Sequence, residues 1–241
     1  MNYKNTLNSE GFTIIESIYT NSEIDALLLI IEKAIENKSQ NKTFRQSDDL
    51  FAIRQFLHEI PEALDYIFNK KLSTLIKTTF SDDYFISKSI YFDKPEKSNW
   101  FVSYHQDLTI SVNKKVELEN FKNWTLKQNQ YSVQPPESIL KDNFTIRIHL
   151  DTTTKDNGAL KVITKSHQKG IIRTEDFNFE NEDETLCEVK KGGIMLMKPL
   201  LFHASNKTTN NNRRRVIHIE FSKQKLPSDL KWNEIINLKL A

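Results

Sequence analysis

The sequence predicts an α+β chain in which helices come first and an antiparallel β sandwich or barrel follows. Apolar residues recur at three- and four-residue spacing through the first third of the chain, and from Tyr84 onward the pattern changes to short β-branched and aromatic runs separated by turn signals. The length of 241 residues suits one domain spanning 1–241, and it is ample to bury a sizeable core.

The elements follow in order. Thr20-Asn21-Ser22-Glu23 reads as a capping box, in which the Thr hydroxyl and the Glu carboxylate each satisfy a backbone N–H of the first turn. Ile24, Leu27, Leu28, Ile31 and Ile35 continue one helical face. A second helix is expected from Ser47, carrying Leu50, Ile53, Phe56 and Leu57. A third should start near Pro61, whose missing N–H costs nothing in a first turn, with Leu64, Ile67, Phe68, Leu72, Leu75 and Ile76 on one side. This helical part covers about 1–82. Strands are expected at about 84–92, 100–106, 144–151, 159–164, 186–190, 193–198 and 214–221, within a β core of about 84–222. Asn157-Gly158 and Gly192-Gly193 supply tight turns. Residues 113–143 break the strand rhythm and read as a lid insertion. Its Phe121, Trp124, Tyr131 and Pro135-Pro136 suit either a substrate cover or simple packing onto the body.

Bulk properties exclude several classes. Lys and Arg total 34 against 32 for Asp and Glu, a net charge of +2, so there is no basic excess of the kind a nucleic-acid binder needs. The single cysteine, Cys187, cannot form an internal disulfide, which points to a reducing, cytoplasmic setting. Met1 to Asn8 is polar, with no apolar stretch of a secretory leader, and the longest apolar run, Leu27 to Ile31, is far too short to span a bilayer. No membrane partner is therefore expected. No feature of the sequence speaks to oligomeric state.

The chemistry-bearing residues are few. His105 and Asp107 stand at i and i+2, on one face of a strand or at its end, and His203 follows a long apolar stretch. Two imidazoles and a carboxylate hold one face of an octahedral metal and leave the other open, the ligand set of non-haem Fe(II) oxygenases. A His-x-Asp tripeptide alone is common and usually lies on a surface. Arg213-Arg214-Arg215 follows about ten residues after His203. One cation there could hold the far carboxylate of a 2-oxo acid chelating the metal, or the run could be solvated. Among the other histidines, His58 reads as a surface residue and His167 as a turn cap, and His218 shares its strand face with Glu220.

The order of these pieces resembles the phytanoyl-CoA dioxygenase family of Fe(II)/2-oxoglutarate oxygenases. The pieces are His105-x-Asp107, a strand ending Leu150-Asp151, Asn157-Gly158-Ala159-Leu160-Lys161-Val162-Ile163, Ser166-His167, Gly192-Gly193, His203-Ala204-Ser205 and Arg214. The resemblance covers roughly 84–222 and, more weakly, the N-terminal helices. It implies a double-stranded β-helix, a cupin-like jelly roll, in which His105, Asp107 and His203 bind iron. It implies that Arg214, with Arg215 as the alternative under a one-residue slip, pairs with the C5 carboxylate of 2-oxoglutarate, and that Ser205 donates to the same group. Arg147 stands where the family often has Trp. If it points inward beside His149, a buried guanidinium there should meet 2-oxoglutarate or an acidic substrate group.

The activity implied is hydroxylation of an unactivated C–H bond of a small molecule, an amino acid, natural-product intermediate or acyl derivative. The reaction would consume O2 and 2-oxoglutarate and release succinate and CO2. Related halogenases have a small apolar residue at the carboxylate position, so Asp107 favours hydroxylation. Two alternatives remain: a non-catalytic sensor or binding barrel, and a metal barrel that uses no 2-oxoglutarate. Each would be marked by a lost ligand or a lost arginine. The chain departs from the family pattern at Lys165, where Gly usually precedes Ser-His, and in the placement of Asn206 and Asn210-Asn211-Asn212.

Overall fold

A computed structural model describes residues 2–38, 43–47, 50–98, 100–127, 130–227 and 229–238. In chain order the elements are α1 (Tyr3–Glu10), β1 (Phe12–Ile15), α2 (Asn21–Lys38), β2 (Phe44–Ser47), β3 (Leu50–Arg54), α3 (Phe56–Glu59), α4 (Ala63–Ile67) and α5 (Lys70–Thr79). Then come β4 (Phe85–Lys94), β5 (Val102–His105), β6 (Ile110–Val112), β7 (Lys122–Lys127), β8 (Gln130–Gln134), α6 (Glu137–Asp142), β9 (Phe144–His149) and β10 (Leu160–Ile163). The last are β11 (Glu184–Cys187), β12 (Ile194–Met197), β13 (His203–Ser205), β14 (Arg214–Ser222) and β15 (Ile236–Asn237).

Two antiparallel sheets form the jelly roll. The larger has the order β1-β12-β9-β14-β4-β3-β2, with β15 also on β4, and the smaller has the order β11-β10-β13-β5. Side-chain alternation along each strand decides what goes where. On β9, Ile146 and Ile148 join the core under the helices, with Ile217 and Ile219 of β14 and Ile24, Leu27 and Ile31 of α2. Arg147 and Met195 take the other face. There Met195 and Met197 pack against Leu160 and Val162 of the smaller sheet. The polar inner positions near β14 are therefore enclosed between two sheets.

The capping box at α2 is present. Thr20 N–H donates to Glu23 Oε2 at 2.7 Å and Glu23 N–H to Thr20 Oγ1 at 3.2 Å. Gly192, at φ +81°, makes the turn before β12 and approaches the backbone of Tyr19 so closely that a Cβ would lie 2.4 Å from its carbonyl oxygen. Gly158, at φ +85°, closes a single 3₁₀ turn over Lys155–Asn157 before β10, so Asn157-Gly158 forms a capped turn and not a two-residue hairpin.

Two expectations are corrected. The helix predicted from Ser47 is a hairpin, β2 with β3, added to the edge of the larger sheet beside β4. The helix begins only at Phe56, after Gln55 in the left-handed conformation at φ +52°. The predicted third helix is two, α4 and α5, with Asn69 capping the second by accepting the Leu72 N–H at 2.9 Å. Residues 113–143, read from the sequence as a lid insertion, hold regular elements. They contain β7, β8 and α6, and β8 pairs with β6 and β7 in a small three-stranded sheet of its own. Phe121 and Tyr131 pack there with Val112, Val133 and Trp232. Among the described residues no helix is long and apolar enough to cross a membrane.

Candidate metal centre

Strands β5 and β13 pair antiparallel with His105 opposite His203. Directly opposed residues carry their side chains side by side, and the two imidazole centroids lie 4.2 Å apart. Each ring places Nδ1 2.9 Å from a carbonyl two residues back in its own chain, His105 on Ser103 O and His203 on Leu201 O. With Nδ1–H donating there, Nε2 of each ring is a free lone pair.

Asp107 follows β5 and is fixed by its N–H, which donates to Pro199 O at 2.9 Å. Its Oδ1 lies 3.9 Å from His105 Nε2 and its Oδ2 3.8 Å from His203 Nε2. The three ligand atoms fall within 4.8 Å of one another, and Oδ2 is buried with no hydrogen-bond partner. Such an orphaned carboxylate oxygen needs a cation. Burial pushes the Asp107 carboxyl up, but His203, His218, His105 and Lys88 together hold it well below the ordinary carboxylate range. Burial pushes His203 down to about 4 against the pull of Asp107. The set thus offers a carboxylate and two imidazole Nε2 atoms, which fits a divalent iron with its other positions open.

Gln106, between the two predicted ligands, is a structural residue the sequence reading passed over. Its Nε2 donates to Gly170 O at 2.8 Å and to Leu200 O at 2.7 Å, and its Oε1 accepts the Ile172 N–H at 3.1 Å. It ties the ligand strand to the segment leading into β13.

A cavity of about 320 Å³ opens beside the three ligands, lined on the larger sheet by Ile90, Phe92, Arg147, Arg214, His218 and Glu220. Arg214 and Arg215 part because neighbours on β14 face opposite sides, and Arg213 precedes the strand. Arg213 makes a two-point ion pair with Asp93. Arg215 turns away from the cavity. Its Nε and Nη2 donate to Asp151 at 2.8 Å each, and its Nη1 reaches Glu32 at 3.2 Å. Only Arg214 lines the cavity, together with Ser205. Its Nη1 donates to Gly158 O and its Nε is buried without a partner. Burial, aided by the charge of Arg147, pushes it down to about 9.

Arg147 points inward. It lies in register with His218, whose Nδ1 is 3.1 Å from Arg147 Nη1. His218 Nε2 is 3.2 Å from Glu220 Oε1, and Glu220 accepts from Lys88 Nζ at 2.8 Å. Burial pushes Arg147 down to about 10, opposed by nearby Asp107. His149 is buried, with Nδ1 2.7 Å from Thr153 Oγ1. The other histidines stay apart: His58 is exposed on α3, and His167 sits in a 3₁₀ turn with Nε2 3.0 Å from Asn8 O. Lys88 and its ion pair were missed, although Lys88, Ile90 and Phe92 alternate along the strand predicted at about 84–92. Lys165, where the family pattern has Gly, adopts the left-handed conformation at φ +66° that favours Gly.

Solved structures share the fold at low identity. EctD from S. alaskensis, with 2-oxoglutarate and 5-hydroxyectoine, superposes with a TM-score of 0.68 at 15% identity, covering 91% of this chain and 74% of that one. AviO1 from Streptomyces viridochromogenes Tue57 gives 0.63 at 16%, covering 94% and 96%. SnoK, a non-heme α-ketoglutarate-dependent carbocyclase from nogalamycin biosynthesis, gives 0.64 at 11%, covering 91% and 82%. No curated protein sequence matches the chain. The phytanoyl-CoA dioxygenase (PhyH) sequence profile matches residues 7–216. That span takes in α2 to α6, the three candidate ligands and Arg214, and the chain belongs to the phytanoyl-CoA dioxygenase family, whose cofactor and cosubstrate are Fe(II) and 2-oxoglutarate.

Proposed function

We propose that this Fe(II)/2-oxoglutarate oxygenase holds its iron on His105, Asp107 and His203 and hydroxylates an unactivated C–H bond of a small molecule. The carrying observation is the convergence of two free Nε2 atoms and an orphaned carboxylate beside a buried arginine that no carboxylate pairs. In this reading Arg214 takes the distal carboxylate of 2-oxoglutarate, and Ser205, which lines the same cavity from β13, donates to it. The oxidant is O2, and iron and 2-oxoglutarate, when bound, would supply its activation. The chain orients the reactants, keeps Asp107 ionised and His203 neutral, and encloses the reaction between two sheets.

Asp107 occupies a ligand position, which favours hydroxylation over halide transfer. The residues that would be lost in a non-catalytic or 2-oxoglutarate-independent barrel are all present. The His203→Ala variant should lose Fe(II) binding and O2-dependent succinate formation together while keeping its circular-dichroism spectrum. A folded His203→Ala protein that retains both contradicts the ligand assignment. Once a substrate is in hand, a product heavier by one oxygen derived from labelled O2 supports hydroxylation. A product lighter by two hydrogens would instead mark cyclisation or desaturation.

A further inference from the structure

We propose that the substrate of this oxygenase carries a carboxylate and that Arg147 binds it. The inference rests on the oxygenase reading above and names the substrate class of the same site.

Arg147 is only 7% exposed, lines the cavity, and makes one hydrogen bond, to the imidazole of His218. Its Nε is buried without a partner. With Nη1 engaged by His218, the edge left over is Nε with Nη2, two parallel N–H groups that match the two oxygens of a carboxylate. A buried guanidinium with only a ring nitrogen for company is costly unless an anion completes it.

Charge counting leads to the same end. Lys88, Arg147 and Arg214 line the cavity against the carboxylates of Asp107 and Glu220. Iron and 2-oxoglutarate carry opposite charges of equal size and leave that surplus unchanged. Lys88 and Glu220 pair with each other, and Asp107 faces the metal position. The cosubstrate's two carboxylates already have places, one on the metal and one on Arg214, and Arg147 has none.

The register separates the two arginines. Arg214 stands opposite Lys94, whereas Arg147 stands opposite His218, four residues further along β14 and one inward-facing step from the Glu220–Lys88 pair. At strand rise, four residues span about 13 Å. A five-carbon diacid with four C–C bonds of about 1.5 Å spans about 5 Å. The backbone of Arg147 is thus placed at the Lys88–Glu220 end of the cavity, away from the anchor of the cosubstrate.

The test uses the Fe(II)-loaded 241-residue chain without O2. 2-Oxoglutarate binding is read from the visible metal-to-ligand charge-transfer band. Substrate-side binding is read from the thermal shift given by a panel of small aliphatic carboxylic acids, α-amino acids included, and their primary amides. Acids in the panel should stabilise the wild type and their amides should not. Arg147→Gln should weaken that effect about tenfold or more while 2-oxoglutarate affinity stays within about twofold, and Arg147→Lys should restore part of it. If Arg147→Gln and Arg147→Lys instead weaken 2-oxoglutarate about tenfold, Arg147 is a cosubstrate anchor and the proposal is overturned. Equal stabilisation by acids and amides, or by neither, also overturns it. Absence of the band in folded wild-type protein would overturn the oxygenase reading itself, and this inference with it, before the panel is used.

Discussion

His105 and His203 face each other across the pairing of β5 with β13, each with Nδ1 held 2.9 Å from a carbonyl of its own chain. Strand register brings together two residues almost a hundred positions apart, and the backbone fixes which nitrogen each presents. On the proposed assignment the metal position is built into the sheet before any ion arrives, and residues that hold the two strands should matter to binding along with the ligands.

Gln106 is the first test of that statement. Its three hydrogen bonds join β5 to Gly170, Leu200 and Ile172. Gln106→Leu leaves those backbone groups unpaired and should destabilise the fold by about 2–4 kcal/mol. It should also weaken Fe(II) binding about tenfold, although Gln106 makes no contact with the metal position. Urea unfolding and anaerobic Fe(II) titration of the same samples check both parts.

Gly158 is the second. Its carbonyl accepts from Arg214, and its φ of +85° leaves no room for a side chain, since a Cβ would lie 2.8 Å from both Asn206 O and Lys94 Nζ. Gly158→Ala should cost about 1–3 kcal/mol and raise the KM for 2-oxoglutarate by shifting the carbonyl that orients Arg214. Steady-state succinate release at varied 2-oxoglutarate reads the second effect, with Fe(II) affinity as the unchanged control.

Glu234 gives a pH dependence away from the metal. It is buried, accepts from Ser89 N–H at 3.1 Å and Ser89 Oγ at 2.6 Å, and is pushed up to about 7 by burial, which outweighs those bonds. The folded chain therefore keeps a proton that the unfolded chain releases near 4.5. Stability should be fully present below that value and fall as pH rises toward 7, by about 3 kcal/mol from this group. Urea midpoints across the window should show the slope, and Glu234→Gln should flatten it.

Spacing along the chain put side chains on one face or the other, and the roles came from the resemblance of the ordered motifs to the phytanoyl-CoA dioxygenase family. His105 and Asp107 share a strand end, and Arg214 differs from Arg215 by strand parity, so one lines the cavity while the other meets Asp151. Leu50, Ile53, Phe56 and Leu57 fit a helical period, yet Leu50–Arg54 is a strand, because the exposed edge of β4 offers backbone partners that outweigh local propensity. The sheet within 113–143 was illegible for a related reason. Most side chains of β7 are exposed and its register is broken, so no alternation marks it. The Lys88–Glu220–His218–Arg147 chain and the Glu234–Ser89 contact join distant strands and a C-terminal segment with no periodic pattern. They follow from topology, which spacing along one strand does not carry.

The central claim is that Arg214, and not its neighbours, anchors the cosubstrate beside a metal held by His105, Asp107 and His203. Anaerobic titration of the apoprotein with Fe(II) and then 2-oxoglutarate, following the visible charge-transfer band, tests it most directly. The wild type should develop the band only with both present. Arg214→Ala should bind Fe(II) normally but need about a hundredfold more 2-oxoglutarate, and Arg215→Ala should match the wild type. A band unchanged in Arg214→Ala, or lost in Arg215→Ala with the fold intact, would contradict the claim.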